Sequence, residues 1–358
     1  MATPREHVTV EGREVAVSNP GKVLFPALGL TKMDLVRYYL SVMDGALRGC
    51  RDRPTIMKRY PNGIEGEFFY QKRVPAKRPD WIRTAHVRFP SMRTADFIAP
   101  ADAAHVVWMV NLACLELHPW PVRAPDVDHP DELRIDLDPT PGIPFQHVRE
   151  VAMLVRDVLA EHGLAGFPMT SGSRGMHVLA RIEPRWEFLE VRRAALAFSR
   201  EVERRSPLAT TAWWKEERVG VFLDYNMNAR DRTLSSAYSI RPVPDARVAM
   251  PVTWEEVPTV DPAAFTVATA PARFAERGDA CEGIDDRAGT LDSLLDLAAR
   301  DEAGGLGDAP WPPHFPKQRG EPARVAPSRA KRRPDGPARR QPDSSRMSSK
   351  RKGFGASN

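Results

Sequence analysis

The first regular signal in the chain is an alternation. Residues 7–20, His-Val-Thr-Val-Glu-Gly-Arg-Glu-Val-Ala-Val-Ser-Asn-Pro, set apolar side chains at every second position, the period of a half-buried strand or hairpin. Helical spacing follows, because Leu35, Tyr39, Val42, Met43, Ala46 and Leu47 recur on one face before Gly49. Thr31 is a suitable cap and Asp34 favours the first turn, so one helix is expected there. Two short strand-like pieces, 54–59 and 67–72, flank the turn signal Pro61-Asn62-Gly63. Residues 104–117 read as a helix, or a helix running into a strand; 133–137 read as a buried strand closed by Pro139. A helix over 145–162 should stop at Gly163. The remainder alternates: a strand, a Ser/Gly-rich turn, a strand over 176–182, a helix over 187–205, strands at 219–224 and 237–240, and an amphipathic helix near 290–300. Helices flanking a mixed sheet make this an α/β (α+β) protein, and no internal repeat is visible.

Length and composition narrow the class. With 358 residues and 42% hydrophobic content, the chain can bury one principal globular unit. No apolar run approaches the roughly 18 residues of a membrane span, and the start has no apolar secretion segment, so a cytoplasmic, nucleoid-associated protein with no membrane partner is expected. Cys50, Cys114 and Cys281 are too scattered for a zinc site or a disulfide framework and read as reduced structural thiols. The net charge of +5 is unevenly placed: from Lys317 onward thirteen Lys or Arg face three acids, about +10, which leaves residues 1–316 at about −5. A body over 1–304 and a disordered basic tail, rich in Pro, Ser and Arg, over 305–358 are therefore expected, the tail acting either as a solubilising terminus or as an arm drawn to phosphates.

Candidate chemistry begins at Arg134-Ile-Asp136-Leu-Asp138-Pro. Two residues apart on a strand, Asp136 and Asp138 project to one face while Ile135 and Leu137 enter the other. Such neighbours repel, a cost that bound divalent cations remove. Asp224 closes a second apolar strand and is a plausible third ligand for Mg²⁺ or Mn²⁺, which favour oxygen donors and accept substrate phosphates. Acids in a solvated turn, or paired to arginines such as Arg134, remain the plain alternative. Thr170-Ser-Gly-Ser-Arg-Gly-Met-His177 joins a turn of small residues to a strand, and its amides, the Ser171 hydroxyl, Arg174 and His177 could converge on phosphate oxygens. An ordinary Gly/Ser hairpin with a satisfied histidine is the alternative.

Taken in order, Asp136-Leu-Asp138, Ser171-Gly-Ser-Arg-Gly-Met-His177, Phe222-Leu-Asp224-Tyr-Asn and Tyr238-Ser-Ile-Arg241-Pro resemble the archaeo-eukaryotic primase superfamily, and within it the polymerase domain of bacterial DNA ligase D. Supporting stretches are Asn19-Pro-Gly-Lys22-Val-Leu-Phe-Pro, Thr31-Lys32, Lys58-Arg-Tyr-Pro-Asn-Gly, Phe68-Phe69 and Glu116-Leu-His118-Pro-Trp, so the likeness covers about residues 7–300. It implies a mixed-sheet primase-polymerase fold, with an N-terminal α/β lobe and a catalytic lobe related to RNA-recognition modules. It also implies two Mn²⁺ or Mg²⁺ ions, NTP or dNTP substrates and a preference for ribonucleotides. On this resemblance Asp136 and Asp138 bind both metals and Asp224 the one at the primer end. Ser171 and His177, with Arg174 less firmly, hold the triphosphate; Arg241 neutralises its charge; His118 lines the nucleotide pocket. Asn19, Lys22 and Lys32 match a grip on a DNA 5′-phosphate, Lys58 a template or phosphate contact, and Phe68 and Phe69 aromatics that stack on template bases. As strand neighbours, one of these two phenylalanines should be buried. Lys215 and Arg218 are weaker template candidates.

The expected activity is gap filling and end extension at 5′-phosphorylated breaks in nonhomologous end joining, with DNA, a Ku-type end-binding protein and a separate ATP-dependent DNA ligase as partners. No Lys-x-Asp-Gly ligase motif is present: Asp335-Gly336 follows Arg333 by one residue without the required lysine. Other readings are a primase or an excision-repair polymerase, a noncatalytic DNA-end-binding scaffold, and a metal-dependent nuclease, for which a triphosphate cradle has no use.

Overall fold

The structure, a computed structural model, describes residues 4–89 and 91–324. The opening alternation folds as an antiparallel hairpin of β1 (Arg5–Val10) and β2 (Arg13–Ser18), turned through Glu11 and Gly12, which both have positive φ. A second small hairpin, β3 (Val23–Phe25) and β4 (Leu30–Thr31), leads into α1 (Lys32–Ser41). Thr31 and Asp34 form a capping box, each side chain bonding the other's amide. The single helix expected here is two, since the backbone leaves helical geometry at Val42 before α2 (Met43–Cys50). The apolar period runs through that break in phase, which hides it from the sequence.

The N-terminal sheet is built from β5 (Thr55–Arg59), β6 (Phe69–Gln71), β7 (Thr84–Arg88) and β8 (Thr94–Ile98), followed by α3 (Ala103–Asn111) and β9 (Cys114–Pro119). β5 pairs with β6 and β9 and meets β8 through Thr55 and Ile98. The catalytic sheet has β10 (Glu132–Pro139) at its centre, then α4 (Phe145–Glu161), β11 (Gly166–Thr170), β12 (Met176–Arg181), α5 (Phe188–Arg205), β13 (Ala209–Thr210) and β14 (Val221–Leu223), in the order β11-β12-β10-β14-β13. Only β13 and β14 pair in parallel, so the sheet is mixed. Leu133, Ile135 and Leu137 of β10 are buried in one apolar cluster with Val151 and Val155 of α4 and Val191 and Phe198 of α5. A buried ion-pair network, with Arg53 bidentate to Asp131 at 2.6 and 2.9 Å and Glu132 held by Arg134 and Arg181, ties the start of β10 to the N-terminal sheet.

Chain segments beyond β14 depart from expectation in two places. Residues 237–240 form no strand: Tyr238 has a φ of 60° and only an isolated bridge joins Ile240 to Val248. After α6 (Ala270–Arg277) and α7 (Asp292–Ala303), the compact body runs on to Arg324 rather than ending at 304. Trp311 and Phe315 are buried against Ala229, and apolar side chains of this kind within 305–324 repay their ordering. The rest of the expected tail, 325–358, lies outside the described residues. All three cysteines are buried and unbonded, and among the described residues no helix is long and apolar enough to cross a membrane.

Gly175 leads into β12 beside β10, where an added Cβ would sit 2.2 Å from the Leu137 carbonyl oxygen. Gly175→Ala must therefore push two backbones apart. Urea unfolding should show a loss of about 1–3 kcal/mol, as for other overpacked sites, and an unchanged midpoint would contradict this packing.

Candidate active site

Three strands bring the predicted carboxylates together. Asp136 lies opposite His177 in the β10–β12 register, Asp138 opposite Phe222 in the β10–β14 register, and Asp224 follows the last residue of β14. The Asp224 amide donates to the Asp136 carbonyl oxygen at 3.1 Å, which fixes the two chains at the acid end of the sheet. Arg134 is engaged elsewhere, by Glu132 at 2.7 Å and the Pro119 carbonyl at 2.9 Å, so it does not neutralise the acids. The nearest cation is Arg232, 3.7 Å from Asp224.

Electrostatics follow from this placement. Burial, then the charges of Asp224 and Asp138, push the Asp136 carboxyl well above the usual carboxylate range. Asp224 is raised too, chiefly by burial, against the pull of Arg232. His177 lies 3.5 Å from Asp136 but offers no compensating charge, since burial and the nearby Arg241 lower its pKa to about 3. Its Nδ1 is buried without a hydrogen-bond partner. A cluster of hard oxygen donors with too little positive charge fits a divalent cation. Among the described residues no group of three or more Asp, Glu, His or Cys side chains stands in metal-holding positions, so a bound ion would draw these acids closer and complete its shell with water or phosphate oxygens.

The Ser/Gly turn lies beside the acids. Gly172, at φ 66°, packs so tightly on Arg241 that a Cβ would meet its Cγ at 2.6 Å. The Ser171 oxygen accepts from the amides of Ser173 and Gly175, both at 3.2 Å, so these two amides face inward instead of pointing at a ligand as expected. What remains for an anion is the Ser171 hydroxyl proton, His177, Arg241 and the exposed Arg174, which has no ion pair among the described residues.

A residue whose role the sequence did not show organises the second half of the site. Glu116 on β9 is fully buried and takes Lys58 Nζ at 2.5 Å, Arg241 Nη1 at 2.5 Å, the Tyr60 hydroxyl at 3.2 Å and His118 Nε2 at 3.6 Å. Burial alone would raise its pKa, yet the close approach of His118 and the charges of Arg241 and Lys58 hold it down at about 2. Glu116 and His118 share one strand face, a Glu-x-His spacing that could have disclosed the pair. Lys58 Nζ also lies 4.8 Å from the Phe68 ring and 5.7 Å from that of Tyr70, and Tyr70 stands edge-on to His118. Phe68 and Phe69 are both about half exposed (50% and 45%), against the expectation that one would be buried. Phe68 lies just before β6 and Phe69 opens it, and β6 is a three-residue strand at the edge of its sheet, so neither ring is enclosed between two neighbouring strands. His118, Tyr70, Lys72, Arg232 and His314 line a cleft of about 720 Å³.

Asn19, Lys22 and Lys32 meet at the base of the first hairpin, where the Lys22 amide bonds the Asn19 carbonyl and the Lys32 amide the Lys22 carbonyl. Lys32 Nζ is buried against the Ser18 carbonyl at 2.5 Å, and burial, Lys22 and Arg59 lower its pKa to about 8. Neither lysine has a carboxylate partner among the described residues. Arg218 holds its own loop, donating to the carbonyls of Ala212 and Trp213 and stacking on Phe222 at 3.5 Å; Lys215 is exposed.

Comparison with known proteins matches residues 31–281 of the sequence to a family model described as LigD, primase-polymerase domain. The chain belongs to that family. It is 33% identical over 294 residues to the multifunctional non-homologous end joining DNA repair protein LigD of Mycobacterium tuberculosis, covering 79% of this chain and 38% of that protein. Against the LigD of Pseudomonas aeruginosa it is 33% identical over 246 residues, covering 68% of this chain and 29% of the relative. The chain thus spans less than half the length of these relatives. A solved polymerase domain of Mycobacterium tuberculosis ligase D, in complex with DNA, superposes with a TM-score of 0.71 at 32% identity, over 76% of this chain and 99% of that one.

Glu116 supplies a prediction for this site. A carboxyl whose folded pKa is depressed, here to about 2 from 4.5, stabilises the fold above its unfolded value and loses that contribution as pH falls through the folded one. Acidification from pH 5 to pH 2 should therefore destabilise the wild type more than Glu116→Gln. At pH 7 Glu116→Ala, which strands Lys58 and Arg241, should cost about 3–5 kcal/mol in urea unfolding. A neutral effect would show that the four contacts are incidental.

Proposed function

We propose that this protein is a template-directed nucleotidyltransferase that extends a 3′ end across short gaps and breaks bearing a 5′-phosphate, working in nonhomologous end joining. The observation that carries the reading is the under-neutralised acid set of Asp136, Asp138 and Asp224 beside Ser171, His177 and Arg241 on neighbouring segments. Family membership and the DNA complex of the similar polymerase domain support it.

Asp136 and Asp138 would hold two divalent ions, Mn²⁺ or Mg²⁺, with Asp224 serving the one nearer the primer end. When bound, the ions would supply charge neutralisation for the triphosphate and activation of the attacking 3′-hydroxyl. The chain's own groups do the rest. Arg241 has a ready ion-pair geometry at Glu116 and can exchange it for a triphosphate oxygen; Ser171 and neutral His177 can donate or accept hydrogen bonds without adding charge. His118 and Tyr70 border the cleft, whose volume suits a nucleotide and where a ribose hydroxyl can be read. Half-exposed Phe68 and Phe69 offer faces for template bases, a contact worth about 1–3 kcal/mol per base. Lys22 and Lys32, lacking carboxylate partners, suit a DNA 5′-phosphate, with Arg59 as a neighbouring charge. Ribonucleotide preference, a Ku-type end-binding protein and an ATP-dependent ligase complete the proposal.

Primer extension on a gapped, 5′-phosphorylated duplex with Mn²⁺ and ribonucleotides tests it. Asp136→Ala should reduce addition by at least a thousandfold while gap binding stays within a few fold of wild type; retained activity would sink the assignment, and cleavage without nucleotides would point to a nuclease. Lys32 gives the pH arm. Its charge is present below about pH 8 and lost above, so the preference for a 5′-phosphate over a 5′-hydroxyl end should fall between pH 7 and pH 9.5, with the fall absent in Lys32→Ala. A preference constant with pH in the wild type would remove Lys32 from the phosphate grip.

A further inference from the structure

Beyond α7, and beyond the residues that the family model matches, the chain turns back onto α5 and the turn that follows β14. Its attachment point is Arg192 on α5, a guanidinium only 1% exposed. Arg192 donates to Asp308 Oδ1 at 2.7 Å, to the Ala309 carbonyl at 2.8 Å and to Asn226 Oδ1 at 2.7 Å, and the Trp311 ring lies over it at 3.9 Å. Asn226 answers from the other side, its Nδ2 donating to the Pro310 carbonyl at 3.1 Å. The same Asn226 donates its backbone N–H to Asp224 Oδ1 at 3.0 Å. Asn226 is itself 1% exposed, so the middle of this short relay from the returning segment to the third carboxylate, Arg192 and Asn226, is shielded from water.

Further along, the segment is closed on itself. Trp311 Nε1 donates to Asp308 at 2.7 Å and its amide to Glu321 at 2.7 Å, Glu321 holds Arg324, and Phe315 packs on Trp311. That closure points His314 into the wall of the cleft that holds His118, 4.0 Å from Asp231, the partner of Lys72. One segment thus supports Asp224 from behind and borders the substrate cleft in front.

We propose that residues 308–324 belong to the catalytic centre as a positioning element that holds Asp224 through Asn226 and Arg192. The proposal rests on the reading of Asp224 as a catalytic carboxylate. Removing the ring over Arg192 should loosen the relay, freeing the Asn226 amide and letting Asp224 swing away from Asp136. Trp311→Ala in the full chain tests it with two readouts besides activity. Hydrogen exchange at the Asn226 amide should accelerate at least tenfold, and the Mn²⁺ concentration for half-saturation, followed by electron paramagnetic resonance, should rise at least fivefold. Nucleotide addition should show the same raised Mn²⁺ requirement, while affinity for a gapped, 5′-phosphorylated duplex stays within twofold.

Trp311→Phe keeps a ring over Arg192 and loses only the bond to Asp308, so it should recover most of the wild-type exchange rate and Mn²⁺ affinity. Should Trp311→Ala not fold, Trp311→Phe and Asn226→Ala carry the test: Mn²⁺ half-saturation shifted slightly in the first and at least fivefold in the second supports the relay. Wild-type exchange and Mn²⁺ binding in Trp311→Ala, or in Asn226→Ala where Trp311→Ala does not fold, would overturn it. A wild type that binds no Mn²⁺ and adds no nucleotide would instead refute the proposed function, and the amide-exchange arm would still decide whether the segment holds Asp224.

Discussion

Carboxylates two residues apart on an antiparallel strand share a face, and the repulsion between Asp136, Asp138 and Asp224 is the constraint around which the rest of this site is arranged. Local relief is slight: Arg232 stands 3.7 Å from Asp224, and neither Asp136 nor Asp138 has a lysine or arginine ion pair among the described residues. His177, the nearest candidate, is too deeply buried to carry a proton at neutral pH, and Arg134 is spent on Glu132. Apolar packing under Ile135 and Leu137 holds the strand in register regardless, so the core sustains an acid cluster that would otherwise spread apart.

A few strands away the opposite solution is built. The Glu116 side chain is fully buried, that of Asp136 15% exposed, yet the Glu116 pKa moves down instead of up, because three basic side chains and a phenol converge on it. Burial has the same sign in both cases, and neighbours decide the outcome. Arg241 links the two regions: its stem packs on Gly172 of the turn beside the acids while its guanidinium rests on Glu116. Under the proposed function, a triphosphate arriving at the acids would meet a cation that is already ordered and already paired. Preorganisation of that kind lowers the entropy lost on binding, at the cost of breaking one ion pair.

Much of this was legible in the sequence where the cause is local. The opening hairpin, the capping box at Thr31 and Asp34, the helix ended by Gly163 and the shared face of Asp136 and Asp138 all follow from spacing over a few residues. Ordered motifs then carried the family, because several weak patterns in the right succession are far more specific than any one. Features that depend on distant partners stayed hidden. Tyr238 takes a left-handed backbone in a stretch that reads as a strand, while its amide reaches the Ala249 carbonyl and its hydroxyl Asp279. Phe68 and Phe69 are exposed together because the first precedes β6 and the second opens it at a sheet edge, which no local pattern reveals. Glu116 acquires meaning only when Lys58 and Arg241, far from it in sequence, arrive beside it. The segment past 304 looked like tail since its composition is Pro-rich and basic, and its few anchors, Trp311 and Phe315, act through Arg192 more than a hundred residues earlier.

The central claim is that the acid cluster is held in readiness for a divalent cation, and calorimetry in buffers of different ionisation enthalpy tests it most directly. Titrating Mn²⁺ with a ribonucleoside triphosphate into the wild type in mildly acidic buffer should give an enthalpy that depends on the buffer, since the raised Asp136 carboxyl must release its proton when the ion binds. Asp136→Asn should lose both the proton release and most of the affinity. Binding without proton release, or binding unchanged in Asp136→Asn, would contradict the account.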